Sequence, residues 1–490
     1  MTAHAASRPD TRRWIALVVL CIGMLMIVLD VTVVNVALPS IQADLGFSQS
    51  SLAWVVNAYL ISFGGLLLLA GRLGDLMGRK RVFMIGLALF TAASLVCGLA
   101  QSQEMLVAAR FVQGIGGAMT SAVILGMIVT MFPEPGEQAK AIGIYTFVAS
   151  AGGSIGLLAG GVLTEGINWH WIFFVNLPIA VGTAVLAVRL IEADEGIGVR
   201  RGADVLGAAL VTGSLMLGVY TIVKAGDYGW GSLHTLGLGA ASLALLGGFV
   251  ARQARAANAL MPLRVFRSRN VAGANLVQVL SVAGMFGMFF LGSLYLERVL
   301  GFDPLEIGLA FLPATVVMGV FSAGLSARVN ARLGARATLA PALALIVVGL
   351  VLFARAPVAG SYVADVLPSM VLMGVGAGLA FPSLMTLAMS GARPEDAGLA
   401  SGLVNTSAQV GGALGLAVLA TLATSRTDAL MAAGSSTPAA LTSGYHLALL
   451  VAAGLMVVGI AVALVVLRPE PVAAPEAVAS ESQVAVAQAA

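Results

Sequence analysis

Long apolar stretches recur along almost the whole chain, and they restrict its fold more than any other feature. A bilayer is spanned by about 20 apolar residues, and inside it the backbone must satisfy its own hydrogen bonds. The sequence therefore predicts an all-α integral membrane protein. Fourteen transmembrane helices are predicted, at residues 14–38, 52–70, 82–100, 105–131, 141–164, 169–190, 204–224, 235–251, 271–296, 305–327, 337–354, 363–389, 398–423 and 443–467.

The composition agrees with this fold class. Only 10% of the residues are charged, against about 25% in soluble domains. The net charge of +3 and the lack of a basic run with interleaved aromatics argue against a nucleic-acid partner. The first apolar stretch is longer than the core of a signal peptide, so we interpret it as a retained helix. Cys21 and Cys97 lie in apolar runs and are expected to be small buried side chains.

The distribution of Lys and Arg orients the helices. If residues 1–13 are cytoplasmic, 21 of the 26 Lys and Arg residues fall on the cytoplasmic side, four fall outside, and Arg110 alone lies within a helix. Such a bias is typical of cytoplasmic loops, and a helix added or missed would destroy it. Both termini are therefore predicted to be cytoplasmic. The tail at 468–490 has no turn signals and is predicted to be disordered.

The first and second halves of the chain share a repeated sequence pattern. Leu45-Gly46-Phe47 recurs as Leu300-Gly301-Phe302, and the glycine-rich segment at 152–157 recurs at 411–416. The repeat predicts two pseudo-symmetric six-helix bundles, at 14–190 and 271–467, with two inserted helices within 191–270. Repeated halves are the architecture of secondary transporters, whose site lies between them near the middle of the bilayer.

Ionisable residues lie deep inside the helices of the first half only. At the positions of the second half that align with Asp30 and Arg110, the chain has Met285 and Met370. A carboxylate in hydrocarbon costs about 2.5–3.5 kcal/mol and usually has a function. We therefore interpret Asp30 as a group that gains and loses a proton, although a purely structural ion pair is an alternative. The helix rise places Asp30 and Arg110 in the same outer half, where they could pair. Arg110 could equally be a structural anchor.

The segment between the second and third helices, Gly71–Arg81, combines glycines with charges of both signs. Glycines permit tight turns, and charges can interact with helix ends. We interpret the segment as a conformational gate, although a simple positive-inside stop would also explain its basic residues. The gate residues are Gly71, Asp75, Gly78, Arg79 and Lys80.

Two further sets of residues are candidates for function. The glycines of the fifth helix have the spacing of small residues that allow close helix contact, and they could form a hinge or sliding surface between the halves, or simply pack. Polar residues inside apolar helices could line a substrate cavity or bridge helices. The glycines are Gly152, Gly156, Gly160 and Gly161, and the polar residues are Asn35, Asn57, Tyr59, Gln113, Asn275, Gln278, Asn405 and Gln409.

These segments together resemble the fourteen-helix drug:proton antiporters of the major facilitator superfamily. Gly71–Arg81 resembles the superfamily signature, Leu29–Pro39 the signature of the family, and Arg110–Gly114 its fourth-helix motif. The resemblance implies that Asp30 carries the proton, that Arg110 assists the transfer, and that Asp75, Arg79 and Lys80 gate the conformational change. Asn168–Pro178 also fits the family, with His170 where Arg is usual.

One departure concerns the fifth helix, where Leu157 stands in place of the proline that the exporter motif usually has. Without that proline the helix is expected to be less kinked. The resemblance still implies a monomeric exporter of lipophilic or cationic drugs or antibiotics in a bacterial inner membrane, with protons as coupling ions and no other cofactor. A proton-coupled exporter or symporter of one metabolite is the alternative. An enzyme is not expected, since the His-Glu-x-x-His motif of zinc hydrolases does not occur.

Overall fold

A computed structural model describes residues 11–192, 194–196, 198, 202–256, 259–390 and 397–468, and every regular element in these ranges is helical. The helices of the first half are α1 (Thr11–Leu45), α2 (Gln49–Met77), α3 (Arg79–Gly98), α4 (Gln103–Met131), α5 (Pro135–Gly166), α6 (Trp171–Phe174) and α7 (Asn176–Leu190). Four of them, α1, α2, α4 and α5, extend beyond the predicted apolar stretches, whereas the stretch at 169–190 is divided into α6 and α7.

The inserted pair and the second half follow. The inserted helices are α8 (Val205–Tyr228) and α9 (Leu233–Arg255), after which a short 3-10 helix spans Leu263–Arg267. The second half contains α10 (Arg269–Arg298), α11 (Pro304–Val320), α12 (Ser326–Leu333), α13 (Ala335–Phe353), α14 (Leu367–Ser390), α15 (Ala397–Ala432) and α16 (Thr437–Val465).

Twelve helices in the described part of the chain are long and apolar enough to cross a membrane. The predicted all-helical, multi-span fold is therefore confirmed. Two of the fourteen predicted stretches fall outside these twelve. One lies in α5, and the other, 305–327, is divided because the 17-residue helix α11 is followed by a π-helical turn at Phe321–Leu325. The count of fourteen spans stays a prediction, and the predicted disordered tail after 468 lies outside the described residues.

The internal repeat is visible in the turns. Gly46 and Gly301 follow α1 and α10 with φ of 68° and 74°, and Gly78 and Gly334 follow α2 and α12 with φ of 96° and 83°. Glycine adopts this left-handed region without the steric penalty of a Cβ atom. Corresponding glycines thus reverse the chain at corresponding places in the two halves.

The inserted helices are attached asymmetrically. Helix α8 packs against α2 of the first half and α15 of the second, whereas α9 packs mainly on α8 and exposes Leu236 and Leu243. The contact with α2 is close, since a Cβ atom on Gly65 would lie 2.5 Å from Thr212 Oγ1. Helix α8 therefore covers the seam between α2 and α15.

Candidate functional site

Asp30 and Arg110 form a buried ion pair in the first half. Arg110 Nη1 donates to Asp30 Oδ2 at 2.5 Å, and each side chain is at most 1% exposed. The structure thus brings together the two residues whose pairing the sequence left open. A pair so completely buried has little solvation of its own, so its stability depends on further hydrogen bonds.

Those further bonds come from three other helices, α2, α3 and α7, and from Gln113 on α4 itself. Gln113 Nε2 and Asn176 Nδ2 donate to Asp30 Oδ1 at 2.7 and 3.0 Å, and both also reach Ser94 Oγ. Arg110 donates from Nε to the Val55 carbonyl at 3.0 Å and from Nη1 to Gln113 Oε1 at 2.6 Å. Because all three partners of Asp30 donate, the arrangement suits a carboxylate.

Tyr59 separates this cluster from a large cavity. Its ring lies 4.4 Å from Arg110 Cζ, a cation–π contact, and the same residue belongs to the cavity wall. The side chain is 1% exposed, and its hydroxyl has no hydrogen-bond partner among the described residues. Tyr59 is therefore placed between Asp30 and the space that a substrate would occupy.

The cavity has a volume of about 850 Å³. It extends from Tyr59 and Gln409 to Asp75 and Arg79, and because Asp75 is exposed the cavity reaches the surface at the predicted cytoplasmic end. Cavities of 300–1,000 Å³ with apolar walls and few polar groups are typical of small-molecule sites. The apolar wall includes Met24, Ile27, Val28, Val31, Phe63, Leu67, Leu68, Val123, Leu125 and Val129.

Three of the eight polar residues predicted for the cavity lie on its wall in this structure: Tyr59, Asn405 and Gln409. The other five do not. Gln113 bonds to Asp30, Asn35 donates to the Val31 carbonyl of its own helix, and Asn275 bridges to Ser407. Asn57 and Gln278 are buried away from the cavity. The sequence could not separate these two groups, because the rotation of each helix decides which face a polar residue occupies.

At the predicted outer end, α5 and α11 meet closely. Ser154 Oγ donates to Thr315 Oγ1 at 3.0 Å, and a Cβ atom on Gly308 would lie only 2.6 Å from the Leu157 carbonyl oxygen. A Cβ atom on Gly161 would lie 2.8 Å from Leu305 Cα. The two halves are therefore in backbone contact here, which closes the cavity at the end opposite its mouth.

This contact corrects part of the prediction for the fifth helix. Gly152, Gly156 and Gly160 face α1 of the same half, where a Cβ atom on Gly156 would lie 1.9 Å from Thr32 Oγ1. Only Gly161 faces the other half. The glycine spacing thus serves close packing within the first half, and the contact of α5 with α11 includes Ser154, Leu157 and Gly161.

Replacing Gly308 by valine is expected to separate α5 from α11 at the outer end. Overpacking costs about 1–3 kcal/mol, which would shift the equilibrium toward an open outer end by about 5- to 100-fold. A Ser154→Cys reporter should then react correspondingly faster with an impermeant maleimide. The control is Gly319→Val on the same helix, where a Cβ atom meets nothing within 4 Å. Equal rates in the two variants would contradict the role of this contact.

The first turn of α3, at the end of the predicted gate, is bonded to α4 and to the end of α7. Arg79 Nη1 donates to the Gly126 carbonyl at 2.9 Å and to Thr130 Oγ1 at 2.8 Å. Lys80 Nζ donates to the carbonyls of Val188 and Ile191 at 3.0 and 2.5 Å. Asp75 lies 3.5 Å from Arg79 Nη2. The charged side chains of the predicted gate thus hold α3, α4 and α7 together in this conformation.

Asp194 completes the attachment and was not identified from the sequence. Its carboxylate accepts from the backbone N–H groups of Arg79 and Lys80 at 2.8 and 3.1 Å. The N–H groups of the first turn of α3 have no partner within the helix. Gly78, which precedes the helix, has no side chain that could cap them. Asp194 therefore caps a helix from a distant part of the chain.

The cap depends on the charge of Asp194. Burial raises the pKa of this carboxyl, but the hydrogen bonds from Arg79 and Lys80 and the Arg79 charge outweigh burial and leave the pKa below its ordinary value. The cap is therefore fully present above the ordinary pKa of about 3.9. It is lost only as the pH falls through the lowered pKa.

Asp194→Ala is expected to loosen the start of α3 at neutral pH. Loss of a helix cap costs about 1 kcal/mol, so peptides that contain Arg79 and Lys80 should exchange amide hydrogens about fivefold faster. Glu195→Ala removes the neighbouring exposed acid and serves as the control. An unchanged exchange rate in Asp194→Ala would mean that the carboxylate does not stabilise this turn.

Sequence reasoning also missed Asn176 and Ser94. Asn176 is a fully buried polar residue two positions before Pro178, in a segment that attracted attention only for its family resemblance. Its position inside an apolar run was a usable signal. Ser94 carries no such signal, because serine is common in transmembrane helices and only the tertiary contact shows its partners.

The fold and the site define a class of protein. Helices that span a membrane, two halves with corresponding turns, a cavity between them and a buried charged pair in one half describe a secondary membrane transporter. The model of the Major Facilitator Superfamily matches residues 20–416. The chain belongs to the Major Facilitator Superfamily, and it is a transporter rather than an enzyme.

Two relatives cover most of the chain. The chain is 38% identical over 478 residues to the puromycin resistance protein pur8 of Streptomyces alboniger, which covers 96% of this chain and 95% of the relative. It is 38% identical over 435 residues to the cephamycin export protein CmcT of Amycolatopsis lactamdurans, covering 88% and 87%. The relatives are thus resistance and export proteins of similar length.

Solved structures agree on the fold. A bacterial homologue of the human lysosomal transporter Spinster, in an inward-facing and unoccupied conformation, superposes with a TM-score of 0.66 at 16% identity, over 93% of this chain and 97% of that one. The nucleoside transporter NupG superposes with a TM-score of 0.65 at 13% identity, over 92% of this chain and all of that one. At these identities the similarity concerns the fold alone.

Proposed function

We propose that this protein exports small lipophilic drugs or antibiotics in exchange for protons, with Asp30 as the proton carrier. The observation that carries the proposal is the carboxylate of Asp30, which is buried within a membrane helix, held by three donors and separated by Tyr59 from an apolar cavity. The similarity to proteins named for puromycin resistance and cephamycin export supports the direction of transport and the class of substrate.

The cavity supports a lipophilic substrate. Its inner wall is formed by aliphatic and aromatic side chains with a few uncharged polar groups, and the charged residues Arg72, Asp75 and Arg79 lie toward the mouth. Asp30 itself is occupied by Arg110 and is not on the wall. A substrate would therefore bind by burial of apolar surface, with Gln409 and Tyr59 available for hydrogen bonds.

Proton binding would act on the pair rather than on the substrate directly. Protonation of Asp30 removes the negative charge that faces Arg110, while Arg110 keeps the Val55 carbonyl and Gln113 Oε1 as acceptors. The guanidinium could then shift and move the ring of Tyr59, which it contacts. A change at Asp30 would in this way alter the wall of the cavity, giving the two protonation states different affinities for substrate.

The conformational cycle would use both ends of the cavity. The structure has the predicted outer end closed by α5 and α11 and the mouth at the end that carries the α2–α3 segment. We place that mouth on the cytoplasmic side of the cell membrane, with fourteen spans and both termini cytoplasmic, because Lys and Arg are concentrated there. Rocking of the halves would open the contact between α5 and α11 and close the mouth.

The stoichiometry affects which gradient drives export. A neutral substrate exchanged for one proton moves one charge, worth about 2.3 kcal/mol per 100 mV. A monovalent cation exchanged for one proton moves none, so the pH gradient alone would drive it. Comparing a neutral with a cationic substrate thus distinguishes the exchange of one proton per substrate from other proton-to-substrate ratios.

The test uses everted vesicles that contain the full chain, with an imposed pH gradient or membrane potential, and two fluorescent lipophilic probes, one neutral and one cationic. Uptake of both probes with the pH gradient, and of the neutral probe alone with the potential, is expected. Nigericin should abolish the uptake driven by the pH gradient, and valinomycin should abolish the uptake driven by the membrane potential. Vesicles without the protein are the control. Uptake that is the same with and without the gradients would overturn proton coupling. If neither probe is taken up, a broad specificity for lipophilic compounds is overturned in favour of a single metabolite.

A further inference from the structure

The segment that follows the inserted helices forms part of the cavity wall. Ala259 and Leu260 lie between α9 and the 3-10 helix, and both line the cavity. Leu260 is 8% exposed and packs in a small apolar cluster with Leu69 of α2 and Ala208 of α8. The inserted pair is thus connected to the cavity although α9 lies at the periphery of the bundle.

A buried polar cluster holds this segment in place. Asp204, the cap of α8, is 3% exposed and accepts from the Gly207 N–H at 2.9 Å, from Gln253 Nε2 at 2.7 Å and from Arg252 Nε. Gln253, also 3% exposed, accepts from the Met261 N–H at 3.0 Å through Oε1. A continuous path of hydrogen bonds therefore leads from Asp204 to the residue next to Leu260.

The cluster is tightly packed around Gly207, and the Asp204 carboxylate is held by three hydrogen-bond donors. A Cβ atom on Gly207 would lie 2.2 Å from Asp204 Oδ2 and 2.6 Å from Gln253 Nε2. Burial raises the pKa of Asp204, but the bonds from Arg252, Gly207 and Gln253 outweigh it and lower the pKa below its ordinary value. A buried carboxylate with three donors is costly to disturb, because each donor would be left without its acceptor.

We propose that the segment after the α8–α9 hairpin is part of the substrate site, with Leu260 as a wall residue that limits substrate size and Asp204 and Gln253 as its positioning residues. The inference rests on the proposed export of lipophilic compounds for the meaning of the cavity. It assigns a role to the inserted helices: α8 covers the seam between α2 and α15, and the segment after α9 completes the wall at that seam.

The position of Leu260 can be tested without transport. In a Leu260→Cys variant, a hydrophilic maleimide added to everted vesicles should modify the new thiol, and a saturating lipophilic probe should slow the reaction. The wild-type chain is the blank, because Cys21 and Cys97 are both buried. Ala254→Cys, at the exposed end of α9 beyond the predicted span, is the control and should be modified without protection. Absence of modification or of protection at residue 260 would overturn the wall assignment, whatever the coupling assay gives.

Specificity is the second measurement. Leu260→Ala enlarges the cavity, so export of a bulky probe relative to a compact one should rise about tenfold, the effect of a few methylenes in an apolar pocket. Leu236→Ala, on the outer face of α9, should leave the ratio unchanged. Equal ratios in the two variants would overturn the role of Leu260, while loss of proton dependence in all variants would concern the proposed function only.

The positioning role needs a variant that spares the helix cap. Gln253→Met removes the bond to the Met261 N–H but leaves Asp204 with Arg252 and Gly207. We expect it to change the probe ratio and the Leu260→Cys reaction rate severalfold, and Asp204→Ala to change both in the same direction. Ser232→Ala removes the equivalent cap of α9, far from the segment, and should change neither. If Ser232→Ala and Gln253→Met behave alike, the cluster serves general stability and the positioning role is overturned.

Discussion

Asp30→Asn is expected to reduce gradient-driven export to the level of vesicles without the protein. Asparagine keeps the size of the side chain but can neither bind nor release a proton, so the step that couples the two fluxes is lost. Exchange of labelled for unlabelled substrate across the membrane, which needs no net proton movement, should persist. The measurement is uptake of the fluorescent probe under an imposed pH gradient, compared with exchange at equilibrium.

The matched control for this prediction is Asp44→Asn, the same substitution on the same helix. Asp44 lies near the outer end of α1, accepts from Trp169 Nε1 at 2.9 Å and is half exposed. We expect its gradient-driven uptake to stay close to that of the wild type. Gradient-driven uptake that survives in Asp30→Asn would remove this carboxylate from the coupling mechanism, whereas loss in both variants would indicate a general effect of acids on α1.

Arg110→Met is expected to destabilise the protein by about 3–5 kcal/mol, because it leaves Asp30 buried without its opposite charge. Methionine fills most of the volume of the arginine stem, and the chain itself has Met370 at the corresponding position of the second half. The loss of the bond to the Val55 carbonyl adds to the effect. The free energy of unfolding in a bilayer, measured by steric trapping, should show the decrease.

The double variant separates the pair from its surroundings. Asp30→Asn combined with Arg110→Met removes both charges, and most of the stability lost in Arg110→Met should return, because the uncompensated charge is gone. Gradient-driven export should remain absent in the double variant. Losses that simply add in the double variant would show that Asp30 and Arg110 do not stabilise each other, despite the contact of 2.5 Å.

The fold class was predictable because its signals are local. A stretch of about 20 apolar residues indicates a membrane helix wherever it occurs, and the Lys and Arg bias needs only the order of the loops. The repeat predicted corresponding turns, and Gly78 and Gly334 adopt them. The division of 305–327 by a π-helical turn was not predicted, because the glycines beside it, Gly319 and Gly324, are of a residue type that is common in membrane helices.

Of the candidate site, the sequence by itself determined which residues carry unusual chemistry. A carboxylate and a guanidinium inside apolar helices stand out because each is costly in hydrocarbon, so Asp30 and Arg110 could be selected without a structure. The glycine-rich charged segment at 71–81 was equally visible.

Only the tertiary structure decided which of these residues meet. It brings Asn176 to Asp30 across 146 residues of sequence and Asp194 to Arg79 across 115, and it directs Gln113 toward the ion pair instead of the cavity. The physical reason is that each side chain leaves its helix in one direction, and the rotation and tilt of the helix, which decide what lies in that direction, come from packing over the whole bundle. No local pattern of residues contains that choice.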